Sequence, residues 1–418
     1  MQATNTKIYG HSSYIGTTGY NNHTRDFFRE LSKIYEFKVR NFTVPVEWGG
    51  LEDEPFNKEY YLNDIDKKLL TTQTLIHSDP PLELVDHDIY SNYPNDFNHN
   101  LNIVLAEVNH HYFYQQYIGP KIAYTVWETT RYPKDFYNIL NTFDQVWVPS
   151  KWQRECSIEQ GMDPNKVKVV PEAVDGDTFY PDEKVSLPEY EDNRFKFIIF
   201  GRWDFRKSTK ELIESFLQEF DKDEPVDLIL SIDNLYANDG LKTTEERLEH
   251  YKLMDPRIKV KHFPTREEYI KYLQKGHVFL SCARSEGWNL PLIEAMACGT
   301  PSIYSECSAQ LEFASGKGLP VRIKETTPAI SGEYSTYSQS EMPGNFYVPD
   351  YEHLKETMRD AYENYDYHKK QALEESVLLR NKFTWKNAAQ IAYNEVEDLM
   401  VNIPKNKIEI SFDLGPKV

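Results

Sequence analysis

The chain has 418 residues, 40% hydrophobic and 14% aromatic, which is enough apolar side chain for real cores and excludes a disordered or low-complexity protein. Its length suggests two to three domains at roughly 150 residues each. A formal charge of −19 excludes nucleic acid as an expected partner, because such binding relies on Lys and Arg to neutralise phosphates, and it disfavours anionic membranes.

No stretch approaches the ~20 apolar residues of a membrane helix, so no transmembrane segment is expected. The opening MQATNTKIYGHSS lacks the charged-then-apolar build of a secretory signal. Cys156, Cys282, Cys298 and Cys307 show neither CxxC spacing nor a paired His–Cys pattern, and read as reduced thiols. The expectation is a cytoplasmic protein that needs no metal and no cofactor.

In chain order, Lys7–His11 reads as a strand that runs into the glycine turn Ser12–Gly19. Tyr20, His23, Phe27, Phe28, Leu31 and Ile34 then recur at helical spacing. Strand, glycine turn and helix open a doubly wound α/β domain, with N–H groups at the helix start facing the turn. Residues 49–100 are polar and read as irregular. Asn102–Val108, Lys121–Val126 and Gln145–Val148 read as buried parallel strands.

The acidic, proline-marked stretch Pro171–Asp192 reads as a linker. A second α/β unit follows it: strand Phe195–Phe200, turn Gly201–Ser208, then Leu212, Ile213, Phe216, Leu217 and Phe220 on one helix face. Further strands are expected at Asp227–Ser231, Ile258–His262 and Val278–Ser281. The fold class is thus α/β, two Rossmann-like doubly wound domains with a cleft between them. The expected domains are 1–185, completed by a C-terminal helix over 384–401, and 186–383, with 402–418 as a tail. Residues 352–380 read as helical, and Arg322–Pro349 as a long polar loop without periodicity.

The segment Ser285–Pro301 (SEGWNLPLIEAMACGTP) carries the most chemistry. Asn289 suits an N-cap with Pro291 just inside the helix, Leu292, Ile293 and Met296 supply a packing face, and Gly299 and Pro301 end it. N–H groups over Gly287, Trp288, Asn289 and Leu290 at that helix start form an anion site. Glu286 sits at its mouth, and Glu294, one turn inside, suits vicinal ribose hydroxyls. From spacing alone, an ordinary capped helix with two surface glutamates is an equal reading.

Two glutamates seven residues apart in EG-aromatic-x-LPLxEAMACGTP resemble the signature of retaining glycosyltransferases of the GT-B fold, of the family-four type. VWVPSKWQRE (146–155), VKVVPEAVDGDTFYP (167–181) and FIIFGRWDFRKSTKELIESF (197–216) resemble further stretches of that family in the same order, so the likeness covers most of residues 120–325. The resemblance implies a metal-independent transfer of a sugar from a UDP-, GDP- or ADP-sugar donor to a glycan, protein or small-molecule acceptor. It implies that Arg202 and Lys207 hold the donor phosphates, Glu286 the transferred sugar and Glu294 the ribose, with Gly16 and Gly19 in a glycine turn near donor or acceptor. Fixed cations suit such chemistry, because a departing diphosphate develops charge that they neutralise.

Arg206 and Lys210 are expected to be solvated helix-start charges. Where the family often has a histidine near the donor sugar, this chain has Trp127 and Glu128; Glu128 could bind acceptor or pair with Arg131. His110 and His111 make a poor metal site and read as a solvated loop. Asn289, Ala173 and Ser208 stand where the family has glycine, with no charged group lost. An inactive GT-B partner subunit and a sugar-nucleotide epimerase are the alternatives. An NAD-dependent dehydrogenase is rejected, since Gly10, Gly16 and Gly19 lack the GxGxxG spacing.

Overall fold

The computed structural model describes residues 7–14, 18–41, 64–69, 100–115, 119–234, 239–263, 265–329 and 344–403. They divide into two units. The first comprises residues 1–127, 132–172 and 385–418; the second comprises 128–131 and 173–384.

In the first unit, β1 (Lys7–Ser12), β2 (Glu36–Asn41), β3 (Leu101–Leu105), β4 (Lys121–Tyr124), β5 (Gln145–Val148) and β6 (Val167–Val169) form one sheet. Its order is β2-β1-β3-β4-β5-β6, with every pairing parallel. β3, β4 and β5 are buried along their whole length, which explains their unbroken apolar runs. Helix Gly19–Leu31 buries His23, Phe27, Phe28 and Leu31, the stripe expected from its periodicity. Helix Trp385–Asn402 belongs to this unit, and its Trp385 stacks on His23 at 5.4 Å between ring centroids.

In the second unit, β7 (Phe195–Phe200), β8 (Val226–Ser231), β9 (Ile258–Val260), β10 (Val278–Ser281), β11 (Ser302–Ser305) and β12 (Leu319–Val321) form a parallel sheet in the order β12-β11-β10-β7-β8-β9. Alternate residues feed two cores. Phe197, Ile199, Leu228, Leu230, Val278 and Leu280 pack on one face, and Ile198, Phe200, Ile229 and Phe279 on the other. The chain winds outward from β7 through β8 to β9, then crosses back to β10 on the other side of β7. The switch in winding direction therefore falls between β7 and β10, where ligands of doubly wound sheets bind at the carboxyl ends of the strands.

Several expectations need correction. The strand placed at Asn102–Val108 ends at Leu105, because the exposed Glu107 precedes a short helix, Val108–His111. Within 49–100 the structure describes one helix, Asp64–Leu69, and otherwise only Asn100, the rest lying outside the described residues. The polar insert is not a loop throughout: β13 (Ile323–Pro328) and β14 (Asn345–Pro349) pair antiparallel. β13 is mostly exposed, so its backbone ladder forms without an apolar pattern to announce it. The acidic linker is anchored in the second unit's core by Val174 and Phe179, and Val174 donates its N–H to the Phe383 carbonyl. The tail 404–418 lies outside the described residues.

Candidate active site at the switch point of the second unit

Two loops flank the switch point. One, Gly201–Ser208, follows β7 and leads into helix Thr209–Glu219; the other, Cys282–Asn289, follows β10 and leads into helix Leu290–Ala297. Because β7 and β10 are paired neighbours, their following loops meet.

Asp204 organises the first loop. Its carboxylate accepts 2.7 Å from the Arg206 N–H and 3.0 Å from the Arg202 guanidinium, and its own N–H donates to Thr209 Oγ1. Ser208 closes the loop at φ +53°. This is the position where the resemblance expects glycine, and the left-handed backbone supplies the reason. Asn289, the other such position, lies at φ +86° and begins its helix without capping it. The N-cap role expected of the Asn289 side chain is thus corrected: it donates instead to Ser281 Oγ and Gln310 Oε1. Asn tolerates left-handed backbone better than most residues, which accounts for the exchange. Ala173 is not among the positive-φ residues. Gly299 lies at φ +67°, the left-handed helix end expected of it.

The loops bring cations onto carboxylates. Lys207 Nζ donates to Glu286 Oε1 at 2.7 Å. Arg206 Nη1 lies 2.8 Å from Glu286 Oε2 and also donates to the Ser285 carbonyl. Arg206 Nε lies 2.9 Å from Glu128 Oε2, off the N–H axis, so that contact is chiefly electrostatic. Burial pushes the Glu286 carboxyl up, but Arg206 and Lys207 outweigh it and hold the group below its ordinary value.

Arg206 therefore corrects the sequence expectation of a solvated charge: its side chain is 3% exposed. The adjacent Lys210 lies at the surface and pairs with Glu214. Arg202 is joined to Asp204. Glu128 pairs with Arg206, a partner that neither sequence reading named.

Glu294 sits one turn into its helix, nearly buried, and accepts 2.6 Å from the Tyr269 hydroxyl; Arg266 approaches to 3.9 Å. Burial and then the Glu294 charge hold the Tyr269 hydroxyl well above its ordinary value, so Tyr269 is a firm donor. Tyr269 and Asp204 carried no motif that singled them out.

Gly287, Trp288 and Asn289 are buried and Leu290 half-buried, yet among the described residues none accepts a hydrogen bond from their four backbone N–H groups. Ser285 Oγ and Trp288 Nε1 are likewise buried without a partner. Buried donors at a helix start are arranged for an anionic or hydroxyl-bearing ligand.

The other expected site residues lie in the first unit. Gly19 opens helix Gly19–Leu31, which Thr18 caps, and Gly16 lies outside the described residues. His110 and His111 are corrected from a solvated loop to a short helix. His111 is fully buried between the Val104 and Glu107 carbonyls, and burial lowers it to about 4. Among the described residues no group of three or more His, Cys, Asp or Glu side chains could hold a metal. None of their helices is long and apolar enough to cross a membrane.

Residues 184–316, which contain both loops, match the profile of the family described as Glycosyl transferases group 1. That match lies wholly within the second unit and spans 133 of the 418 residues. As a whole, the chain has the GT-B fold of solved glycosyltransferases. The structure of Anabaena HepE in complex with UDP and glucose is 13% identical, with a TM-score of 0.70 over 94% of this chain and 100% of that one. Sucrose-phosphate synthase from Thermosynechococcus elongatus is 16% identical, with a TM-score of 0.64 over 95% and 100%. A protein named probable sucrose-phosphate synthase, from Thermosipho melanesiensis, is 24% identical over 257 residues, 58% of this chain and 49% of its own. The matched stretches span less than half of the three curated relatives, at 17%, 44% and 49% of their lengths. Within the second unit the loops after β7 and β10 hold Arg202, Lys207 and Glu286, with Glu294 one turn beyond and Glu128 contributed by the segment after β4.

Proposed function

We propose that the protein is a retaining, metal-independent glycosyltransferase that moves a hexose from a nucleoside-diphosphate donor to a glycan or protein acceptor. The observation that carries this reading is the meeting of Lys207 and Glu286 at 2.7 Å beside four backbone N–H groups that find no acceptor among the described residues. One loop pair thus offers a partly exposed cation, an ionised carboxylate and a nest of donors to a single ligand.

A leaving diphosphate gains charge as the glycosidic bond breaks. Lys207 and Arg202 answer it with fixed positive charge, and the helix start adds N–H groups. Charge-assisted hydrogen bonds of this kind contribute about 1.5–3 kcal/mol each. Glu286 faces an oxocarbenium-like sugar in this reading. Its ion pair with Arg206 makes it a poor nucleophile and suits it to positioning the sugar rather than attacking it. Glu294, oriented by Tyr269, suits the ribose hydroxyls. Fixed cations make a metal unnecessary, and full turnover in chelator is the expected result. All four cysteines are free and buried, in keeping with a cytoplasmic setting.

Thermal-shift measurements against UDP, GDP, ADP and their sugars test the donor class, with UDP first because the HepE complex holds it. A donor at a hundredfold excess over Kd stabilises by about 2.7 kcal/mol. Proton NMR of the first-formed product reads the anomeric outcome. No shift with any nucleotide, or an inverted product, would overturn the corresponding part of the proposal.

A further inference from the structure

Arg206 is the most heavily tied side chain of the candidate site. Its guanidinium reaches Glu286 at 2.8 Å, the Ser285 carbonyl at 2.7 Å and Glu128 at 2.9 Å. Its backbone is held as well: the N–H donates to Asp204 and the carbonyl accepts from the Arg284 N–H at 2.6 Å. Lys207 shares Glu286 but is held far less. Its side chain is 21% exposed against 3% for Arg206, and among the described residues its one polar contact is Glu286.

We propose that the two cations divide the work: Lys207 leaves Glu286 for the donor diphosphate, while Arg206 stays as the positioning residue that keeps Glu286 charged and aimed and ties it to Glu128. This deepens the reading of Glu286 as the sugar-facing carboxylate and rests on it. A planar fork with two outward arms suits the task, because it can engage two carboxylates from different segments at once. A lysine supplies one point charge and cannot span both.

Glu128 reaches this position through the short segment 128–131, which belongs to the second unit. Thr130 Oγ1 accepts from the Asn345 N–H at the start of β14, and Gly344 packs against the Arg131 backbone so closely that a Cβ would lie 2.5 Å from its nitrogen. The segment is therefore held beside β14 at its far end, and Arg206 joins its Glu128 end to the donor loop.

The groups facing Glu286 are few. Arg206 and Lys207 come from the loop after β7, with Asp204 behind them. Glu128 acts through Arg206. Cys307, after β11, is a neutral thiol that burial pushes up to about 12, and its neighbour Ser308 accepts from the Glu286 N–H. Arg284, on the same loop as Glu286, is engaged by Glu211. Once Lys207 turns to phosphate, Arg206 is the cation left against the burial of Glu286.

Steady-state turnover from about pH 4 to pH 9 tests this, using the donor that stabilises the full chain most and the variants Arg206→Gln, Arg206→Lys and Glu128→Gln. For Arg206→Gln, kcat is expected to fall about ten- to a hundredfold while donor KM stays within about threefold, and the acid limb of kcat moves to higher pH. Arg206→Lys recovers most of that acid limb. Glu128→Gln moves it to lower pH, because the guanidinium then serves one carboxylate fewer.

An acid limb unmoved in Arg206→Gln, or Arg206→Lys no better than Arg206→Gln, overturns the assignment and leaves Arg206 a structural residue. If Arg206→Gln does not fold, Glu128→Gln decides: a shift to lower pH supports the assignment and an unmoved limb overturns it. A wild-type chain that turns over no nucleotide sugar sinks the proposed function itself, which is a separate result from turnover with an unmoved limb.

Discussion

Lys207 and Glu286, 79 residues apart in the chain, share a 2.7 Å hydrogen bond. The contact exists because β7 and β10 are neighbours in the sheet, so the loops that leave their carboxyl ends lie side by side. It also means that the cation proposed to receive the diphosphate rests on a carboxylate in this structure.

Replacing Lys207 by Met keeps the stem and removes the charge. Turnover at saturating donor is expected to fall on the order of a hundredfold, as for a lost oxyanion donor. Folding survives, since Arg206 still opposes the buried Glu286 charge. Steady-state kinetics and a thermal melt check both halves; undiminished kcat would remove Lys207 from the chemistry.

Tyr269→Phe deletes the hydroxyl that holds Glu294 at 2.6 Å. A hydrogen bond to a charged group contributes about 1.5–3 kcal/mol. Donor KM is expected to rise about tenfold, at the low end of that range, with kcat little changed, because the ribose is remote from the reacting bond. A matching loss in kcat instead would place Glu294 nearer the reaction centre.

Acid sensitivity should begin with histidines. Burial lowers His23 from 6.5 to about 3, and burial, against the Asn102 hydrogen bond, lowers His11 to about 3 as well. The folded state keeps both neutral while the unfolded chain takes up protons below 6.5. Their contribution is therefore present above that pH and is lost as pH falls toward 3. His23→Phe keeps a ring against Phe27, Tyr124 and Trp385 and removes one titration. Urea denaturation across this window should show a flatter decline than wild type, by on the order of a few kcal/mol at the acid end. Parallel curves would show that His23 does not drive the loss.

Backbone strain at the two glycine-like positions can be separated from side-chain bonding. Ser208→Gly relieves a left-handed residue by about 1 kcal/mol and gives up the bond from Tyr351, so its net effect should be near zero. Asn289→Gly loses bonds to Ser281 and Gln310 but gains the same relief, whereas Asn289→Ala loses the bonds and adds strain. Asn289→Ala should therefore be the less stable by about 1–2 kcal/mol in chemical denaturation. Equal stabilities would mean that φ +86° carries no penalty here.

Much of the fold was legible where periodicity and burial agree. Phe195–Phe200, Val278–Ser281 and Gln145–Val148 stand in the structure with the bounds expected of them, since strands buried on both faces need unbroken apolar runs. β13 and β14 were not legible, because β13 is mostly exposed and is held to β14 by backbone bonds that need no apolar pattern. Within the candidate site, Lys207, Glu286 and Glu294 stood out through the family resemblance of their stretches, spacing alone leaving the two glutamates open to an ordinary capped helix. Arg206 did not: at a helix start its charge reads as solvated, and only loops from distant strands closing over it make it buried.

The sequence by itself determined which charged side chains leave the carboxyl ends of two parallel strands, since apolar runs, glycines and prolines place each strand, loop and helix locally. Tertiary structure alone decided which cation meets which carboxylate. Charge pairing falls off within a few ångströms, and those distances depend on the order of strands in the sheet, which no local stretch of sequence encodes.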